Sequence, residues 1–259
     1  MGSALVTGAT SGIGLEFAWE LAAERNDLVL VARNEKRLAT VAENIRQVAN
    51  VQVEVLPADL ATESGARAVA ERVSAEERPI GLLINNAGFG LGQEFIGGSL
   101  ERELEALDAM VRAVLITSHA ATQTMVGRGY GAILNVASIA SWSLNGTYSA
   151  HKAWVRTFTE GLAASLKGTG VSATALCPGL VRTEFHERAH IDADAWFRFA
   201  FSSPRTVARI GLDACRKGQP IVTPTLLYKA AELGLRLAPR PVVTLVAGPN
   251  VTKLAGAPQ

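Results

Sequence analysis

A serine, a tyrosine and a lysine in the middle of the chain could form a site for proton transfer. Ser138 ends an apolar, strand-like run, and the segment Tyr148-Ser-Ala-His-Lys152 begins ten residues later. Residues four apart share one face of a helix, so the lysine ammonium group would lie beside the tyrosine phenol. A free phenol has a pKa near about 10, and a neighbouring cation favours its ionised form. We therefore predict that Tyr148 exchanges a proton with a substrate oxygen that Ser138 also contacts.

A glycine-rich loop near the start of the chain is expected to bind the phosphates of a dinucleotide. Residues 4–7 form a short apolar strand pattern, and the loop Gly8-Ala-Thr-Ser-Gly12-Ile-Gly14 leads directly into a helical pattern. Glycines allow close approach of a ligand, and the free N–H groups at a helix start attract a pyrophosphate. The loop residues predicted to contact the nucleotide are Gly8, Thr10, Ser11, Gly12, Ile13 and Gly14.

The end of the second apolar run predicts which nucleotide is bound. Residues 28–32 are continuous and apolar, and Arg33 and Asn34 follow them. An acidic side chain at this position would bind the ribose 2′-hydroxyl group, whereas a guanidinium group suits a 2′-phosphate. The sequence therefore favours NADP(H) over NAD(H). The alternative is that Arg33 belongs with Lys36 and Arg37 to a solvated basic helix start.

The order of the remaining segments predicts an α/β fold with a doubly wound parallel sheet. Six apolar strand patterns alternate with helical patterns, and no linker or repeat divides residues 1–259, so we expect a single domain. Ligands of such sheets collect at the carboxyl ends of the strands. Further nucleotide contacts are therefore expected from the strand-end residues Asp59, Leu60, Asn86, Ala87, Gly88, Pro178 and Gly179. The asparagine could instead stabilise a turn.

Two segments depart from this alternation. Residues about 180–203 contain four of the eight phenylalanines and are interpreted as a hydrophobic helical lid, although a surface helix packing ordinary core aromatics is an alternative. A C-terminal helical extension, residues about 224–247, is mostly apolar. It could close the core, form an oligomer contact or touch lipid. The lid predicts a substrate with substantial apolar surface.

Composition excludes several other classes of protein. The chain has 25 basic and 24 acidic residues without long runs of either, so we expect no nucleic-acid partner. No uncharged apolar run reaches the roughly 18 residues of a membrane span. Cys177 and Cys215 follow no metal or disulfide spacing, which fits reduced thiols and a cytoplasmic location.

One short motif suggests a metal but is explained more simply. His186-Glu-Arg-Ala-His190 matches the pattern of zinc proteases, in which two histidines on one helix face bind the metal. The motif falls in the predicted lid, and its only nearby candidates for a third ligand are Asp192 and Asp194. Polar residues on the surface of a lid helix account for it, so we predict no metal site.

Together these motifs resemble the short-chain dehydrogenase/reductase family, and the resemblance covers essentially the whole chain. It implies a Rossmann fold, and a reaction that interconverts a secondary alcohol and a ketone. It further implies that Tyr148 is the acid/base, that Ser138 polarises the substrate oxygen, and that Lys152 lowers the tyrosine pKa and binds the nicotinamide ribose. Val181 and Thr183 would add contacts to the cofactor. By the same analogy we expect a homodimer or homotetramer.

One position departs from the family pattern. Members usually carry an asparagine in the long helix before the serine strand, where it anchors a water that links the lysine to solvent; Met110 occupies the matching position. A thioether cannot replace an amide that both donates and accepts hydrogen bonds. The alternative function is therefore a nucleotide-binding sensor or scaffold with impaired catalysis.

Overall fold

The core of the protein is a seven-stranded parallel sheet. We analysed a computed structural model, which describes residues 2–181 and 201–248. The strands lie in the order β3-β2-β1-β4-β5-β6-β7, and each neighbouring pair is parallel. Their bounds are β1 Ser3–Thr7, β2 Asp27–Ala32, β3 Val53–Pro57, β4 Ile80–Asn85, β5 Gly131–Val136, β6 Val171–Leu176 and β7 Ile221–Val222. This topology confirms the predicted doubly wound α/β sheet, the Rossmann fold, in a single domain.

Helices cover both faces of the sheet. They are α1 Gly12–Ala23, α2 Glu35–Val48, α3 Glu63–Ser74, α4 Leu100–Leu107, α5 Ala113–Arg128, α6 Gly146–Ser165, α7 Pro204–Arg216, α8 Leu226–Leu237 and α9 Arg240–Ala247. One buried cluster includes Phe17 and Leu212 on one face of the sheet, and a second includes Val69 and Ala121 on the other. The strands between them are apolar on both faces, as a doubly covered parallel sheet requires.

The long helix that precedes β5 is not continuous. A π-helical segment, Asp108–Arg112, separates α4 from α5, and Met110 lies in it with a fully buried side chain. Such segments insert one residue into the hydrogen-bond pattern and occur frequently at functional sites. Met110 therefore lies at an irregular point of the helical stretch that precedes β5.

The structure describes the C-terminal extension but only the ends of the predicted lid. Of the predicted lid, residues 182–200 lie outside the described part of the chain; at its ends Val181 pairs with Ser202 in a short parallel bridge. The C-terminal extension forms α8 and α9, and α8 buries no side chain. This helix therefore does not close the core. None of the described helices is long and apolar enough to cross a bilayer.

Candidate active site

The predicted site residues follow the carboxyl ends of adjacent parallel strands. Thr7, Ala32, Asn85, Val136 and Leu176 are the last residues of β1, β2, β4, β5 and β6. Because the strands are parallel, these ends lie at one edge of the sheet, where a crevice forms between connections that lead to opposite faces. The glycine loop, Arg33, Asn86, Ser138 and Pro178 are thus brought to the same edge.

The glycine loop has the backbone geometry of a phosphate cradle. Gly8 and Gly12 adopt left-handed φ angles of 67° and 55°, which favour glycine. At Gly14, a Cβ atom would lie 2.2 Å from the Gly8 carbonyl oxygen, so no larger residue fits. Ser11 precedes α1, and its side chain makes no capping hydrogen bond to the first turn. The N–H groups at the start of α1 therefore remain available for a pyrophosphate, and the loop fits the predicted nucleotide.

Thr7 and Asn86 hold this loop against the end of β4. The Thr7 hydroxyl accepts hydrogen bonds from the backbone N–H groups of Asn86 at 2.9 Å and Ala87 at 3.0 Å. The Asn86 side chain donates to the Thr7 carbonyl oxygen at 3.0 Å. Asn86 thus has the structural role that its turn position allowed. The contribution of Thr7 was missed, because a threonine ending a buried strand has no distinctive sequence pattern.

Two arginines follow β2, and one of them contacts the glycine loop. The Arg33 guanidinium group pairs with Glu105 at 3.2 Å, and both side chains are largely exposed. Arg37, which follows on α2, donates to the carbonyl oxygen of Thr10 at 3.3 Å. Asn34 is the N-cap of α2 and accepts from the Arg37 backbone N–H. The second guanidinium group was not predicted as a site residue, although its spacing one turn into the helix would have indicated it.

The residues after β3 have structural roles that are compatible with a nucleotide contact. The Asp59 carboxylate accepts a hydrogen bond from the Ala61 N–H group at 3.0 Å and shapes the turn before α3. Leu60 is buried in the core. Asp59 itself is half-buried, and its contact with the nucleotide stays a prediction.

Ser138, Tyr148 and Lys152 converge at the end of β5. The side chains of Ser138 and Tyr148 are hydrogen-bonded to each other. The Lys152 Nζ atom lies 5.8 Å from the Tyr148 ring centroid and donates to the Val136 carbonyl oxygen at 2.8 Å. The Ser138 hydroxyl also accepts from the Ala140 N–H group at 3.1 Å, which fixes its direction. The three groups can therefore act on one substrate oxygen.

Burial, rather than mutual charge, sets the titration of this group. Burial raises the pKa of Tyr148 to about 12, and the hydrogen bond from Ser138 opposes the rise. Burial also lowers the pKa of Lys152 to about 8. The lowering of the tyrosine pKa by Lys152 that the resemblance implies stays a prediction; in this structure the ammonium group donates its hydrogen bond to Val136. Tyr148 is held as a phenol, which is the form needed to donate a proton.

A buried polar network connects the sheet to the helices around the site. Asn85 donates to Asn135 at 2.9 Å across β4 and β5, and it accepts from the Thr117 hydroxyl of α5 at 2.9 Å. Asn135 donates in turn to Thr159 of α6 at 2.9 Å. All four side chains are buried. The network therefore fixes α6, which carries Tyr148 and Lys152, against the strand that precedes Ser138.

Gly88 and Met110 form the wall opposite Lys152. A Cβ atom at Gly88 would lie 3.3 Å from the Met110 sulfur and 3.5 Å from the Lys152 Nζ atom. Met110 also packs with Leu91, Phe89 and Tyr148 in a small apolar cluster. The position expected to carry an amide thus contributes an apolar surface beside the ammonium group.

The turn after β6 completes the site. The Pro178 carbonyl oxygen accepts from the Ile139 N–H group at 2.9 Å, which ties this turn to the serine loop. A Cβ atom at Gly179 would lie 2.0 Å from the Tyr228 ring, so this ring of α8 packs directly on the glycine. Val181 is buried. Tyr228 was missed, since nothing local in the sequence links the extension to the site. Thr183 lies outside the described residues.

Among the described residues, no group of three histidine, cysteine, aspartate or glutamate side chains could hold a metal ion. The residues of the zinc-protease-like motif, His186 and His190, lie outside the described part of the chain. The prediction of no metal site therefore stays a prediction.

A doubly wound sheet, a glycine phosphate cradle and a Ser-Tyr-Lys group at one sheet edge together define a nucleotide-dependent oxidoreductase. The family model described as short chain dehydrogenase matches residues 3–194. The chain therefore belongs to the short-chain dehydrogenase family of oxidoreductases. An uncharacterized oxidoreductase of Staphylococcus saprophyticus is 34% identical over 70% of this chain and 78% of its own length. Sulfoacetaldehyde reductase 2 of Chromohalobacter salexigens is 36% identical over 70% of this chain and 73% of its own length.

Solved structures share the fold of this chain. A short-chain dehydrogenase from Sphingobium yanoikuyae in complex with NADPH superposes with a TM-score of 0.81 at 30% identity, covering 91% of this chain and 95% of that one. L-Sorbose reductase from Gluconobacter frateurii, complexed with NADPH and L-sorbose, gives a TM-score of 0.75 at 27% identity over 87% of this chain and 96% of that one.

Proposed function

We propose that the protein is an NADP(H)-dependent oxidoreductase that interconverts a secondary alcohol and a ketone on a hydrophobic small molecule. The observation that carries this proposal is the convergence of Ser138, Tyr148 and Lys152 at the sheet edge that also holds the glycine loop. A phenol, a hydroxyl and an ammonium group at one point can polarise a carbonyl oxygen and deliver a proton to it.

The chain's own residues supply proton transfer and positioning. When bound, the nicotinamide supplies the hydride for the carbonyl carbon. Ser138 donates a hydrogen bond to the carbonyl oxygen, and Tyr148 transfers its phenolic proton to that oxygen during reduction. The Lys152 ammonium group stabilises the phenolate that results and is placed to bind the nicotinamide ribose. In the reverse direction Tyr148 accepts the proton of the alcohol.

Two observations support NADP(H) as the cofactor. No acidic side chain ends β2. Two guanidinium groups follow this strand: Arg33 pairs with Glu105, and Arg37 donates to the carbonyl oxygen of Thr10 in the glycine loop. The exposed pair of Arg33 with Glu105 is of a kind that contributes only about 0–1 kcal/mol, so a phosphate can replace the carboxylate at little cost. The Sphingobium relative was solved with NADPH, which agrees with this choice.

An apolar substrate is supported by the side chains around the catalytic group. Phe89 and Leu91 pack with Tyr148 and Met110, and the half-buried Trp142 lies between Ser138 and Tyr148 in the chain. Among the described residues, the side chains that pack with Tyr148 in this cluster are apolar, which suits an apolar substrate.

The test is oxidation of NADPH with a panel of aliphatic, aromatic and cyclic ketones by the wild-type protein and by Tyr148→Phe. We expect the wild type to reduce some apolar ketones. The phenylalanine variant should lose at least about 100-fold in kcat, because the proton donor is removed, while its affinity for NADPH, measured by fluorescence, stays within about threefold. The control is Tyr130→Phe, which removes the hydroxyl of a tyrosine that precedes β5 and is 54% exposed.

A nucleotide-binding sensor or scaffold is the second candidate, and the buried Met110 beside Lys152 is the observation that favours it. Tight binding of NADPH without turnover of any ketone or alcohol between pH 6 and 9 would support this candidate and reject the enzyme. Full activity of Tyr148→Phe would reject the assigned acid/base.

Two further properties follow by analogy and from the surface. Exposed leucines on α4 and α5, namely Leu100, Leu104, Leu107 and Leu115, support a homodimer or homotetramer. The two cysteines are free and buried, which supports a reducing, cytoplasmic environment. Light scattering of the purified protein tests the first property.

A further inference from the structure

The C-terminal extension presents an apolar face that the rest of the described chain leaves uncovered. Leu226, Leu233 and Leu237 recur at spacings of seven and four residues along α8, which places them on one side of the helix. Their exposed fractions are 83%, 57% and 76%. The exposed large apolar side chains of α8 and α9 are Leu226, Leu227, Leu233, Leu237, Val242, Leu245 and Val246. A surface of this kind marks an interaction site.

The charges around this face have a single sign. Residues 224–248 contain one acid, Glu232, whose side chain is only 14% exposed, pairs with Arg236 at 3.4 Å and accepts from Thr223 at 2.6 Å. Lys229 and Arg240 are exposed and form no ion pair within the described part of the chain. Within residues 2–181 and 201–248, the apolar face is thus bordered by positive charge that no carboxylate compensates.

This combination fits an anionic lipid surface better than a second copy of the chain. In a two-fold contact the same patch supplies both sides, so the described patch of the second copy offers Lys229 and Arg240 no free acid to neutralise them. Anionic headgroups complement these cations, and acyl chains accept the leucines. The helices have 12 and 8 residues, so they suit the plane of the interface rather than a span.

We propose that α8 and α9 dock this protein on anionic bilayers, with the leucine face in the boundary between headgroups and acyl chains and the cations among the headgroup phosphates. The docking itself does not depend on the reaction. That docking brings the active site close to a membrane-dissolved substrate rests on the proposed function.

The docked helices border the active site. Tyr228 of α8 packs on Gly179, which follows β6, and α8 also contacts the 3-10 turn Ile139–Trp142. The Leu144 N–H group donates to the Ala247 carbonyl oxygen at the end of α9 at 3.0 Å, which ties the extension to the segment between Ser138 and Tyr148. Docking would therefore hold the site near the bilayer, where an apolar ketone or alcohol is concentrated.

Co-sedimentation with vesicles tests the docking directly. The full chain is mixed with vesicles of phosphatidylcholine and phosphatidylglycerol in a 3:1 ratio, and with phosphatidylcholine alone, at low and high salt. We expect binding to the anionic vesicles that weakens with salt. Leu237→Gln should reduce the partition coefficient by about tenfold. Val48→Gln should leave it unchanged, because that side chain is equally exposed, at 74% against 76%, but lies on α2.

The positive charges have a matched test. The double variant Lys229→Gln/Arg240→Gln should weaken binding to anionic vesicles by about 30-fold, at roughly fivefold for each cation. Lys167→Gln/Lys217→Gln removes two exposed lysines elsewhere and should bind as the wild type does. Circular dichroism confirms that each variant is folded.

The proposal is overturned if the wild type does not bind anionic vesicles, or if Leu237→Gln and Val48→Gln bind alike. A halved solution mass of Leu237→Gln, together with no vesicle binding by the wild type, would assign the face to a second copy instead. Because lipid binding is measured without a substrate, these outcomes are independent of whether the protein reduces any ketone.

Discussion

The ammonium group of Lys152 donates a 2.8 Å hydrogen bond to the carbonyl oxygen of Val136, the last residue of β5. Val136 lies two residues before Ser138, so this bond links α6 to the serine strand. Lys152 is buried, and the described part of the chain supplies no carboxylate in a salt bridge with it. The buried Lys152 cation therefore lowers the stability of the native protein, but it places an ammonium group beside Tyr148 for the reaction.

The first prediction is that Lys152→Met stabilises the protein while abolishing turnover. Burial lowers the pKa of Lys152 from 10.5 to about 8. At about 1.4 kcal/mol per pKa unit, burial of the protonated lysine costs the native protein roughly 3 kcal/mol of stability below pH 8. The variant removes this cost but also loses the hydrogen bond to Val136, which is worth about 1 kcal/mol. We therefore expect a gain of about 2 kcal/mol in the free energy of unfolding by urea at pH 7.

The pH dependence of that gain has a definite sign. Between pH 8 and 10.5 the unfolded wild type binds a proton that the native protein has released, so wild-type stability rises with pH relative to the variant. The advantage of Lys152→Met should thus shrink from pH 7 to pH 10. Lys167→Met, at an exposed position on another surface, is the control and should show no such trend. A less stable Lys152→Met at pH 7 would contradict the argument.

The second prediction concerns Met110, whose sulfur lies near Lys152 across Gly88. Reduction by the wild type is expected to slow as the pH rises through about 8, because neutral Lys152 no longer stabilises the phenolate of Tyr148. In Met110→Asn the amide oxygen can accept from the ammonium group and raise its pKa. The fall in kcat should move to higher pH, and turnover at pH 8.5 should increase.

Met110→Leu is the matched control, since it keeps the volume and the apolar character of the side chain. Its pH profile should follow that of the wild type. If asparagine and leucine give the same profile, the side chain at this position does not influence Lys152. Both variants need NADPH affinity measured alongside, so that an effect on turnover is separated from one on binding.

Much of the fold, and the position of the site at the carboxyl ends of the strands, could be predicted from the sequence because the patterns that indicate strands and glycine turns are local. Continuous apolar runs such as residues 28–32 and 80–85 have the composition of doubly covered strands, and the structure places strands at Asp27–Ala32 and Ile80–Asn85. In a parallel sheet the residue after each strand then falls at the ligand edge without any further information. This is why Ser138 and the glycine loop were placed correctly relative to each other.

Other features depend on tertiary contacts and left no local pattern. The π segment Asp108–Arg112 adds one residue to the hydrogen-bond spacing, which barely disturbs an apolar period. Tyr228 reaches Gly179 only because the extension folds back over the turn after β6. The rise in the pKa of Tyr148 results from burial by segments distant in sequence, whereas spacing alone indicated only the neighbouring cation.

The third prediction tests the phosphate cradle with two glycines. Gly14→Ala would place a methyl group 2.2 Å from the Gly8 carbonyl oxygen and 2.4 Å from the Asn86 amide nitrogen. We expect loss of NADPH binding and lower stability, since one contact is with the loop itself and the other is with the side chain that holds the loop against the end of β4. Gly161→Ala lies in α6 with no atom within 4 Å of the new methyl group, and it should raise the free energy of unfolding by about 0.5–1 kcal/mol without changing binding. Normal NADPH affinity of Gly14→Ala would remove the cradle from the nucleotide site.

The last prediction separates the two nicotinamide cofactors. Arg33→Ala should weaken NADPH by about 10- to 100-fold, because a charge-assisted hydrogen bond to the 2′-phosphate is lost. NADH lacks this phosphate and should change by less than about threefold. Glu105→Gln should tighten NADPH, since the neutral amide no longer competes for the Arg33 guanidinium group that it now pairs with at 3.2 Å. Arg67→Ala is the control, because Arg67 is an equally exposed arginine in a surface ion pair on α3. Equal losses of affinity for the two cofactors in Arg33→Ala would show that this guanidinium group does not contact the 2′-phosphate. Arg37, which donates to the carbonyl oxygen of Thr10, would then be the next residue to replace.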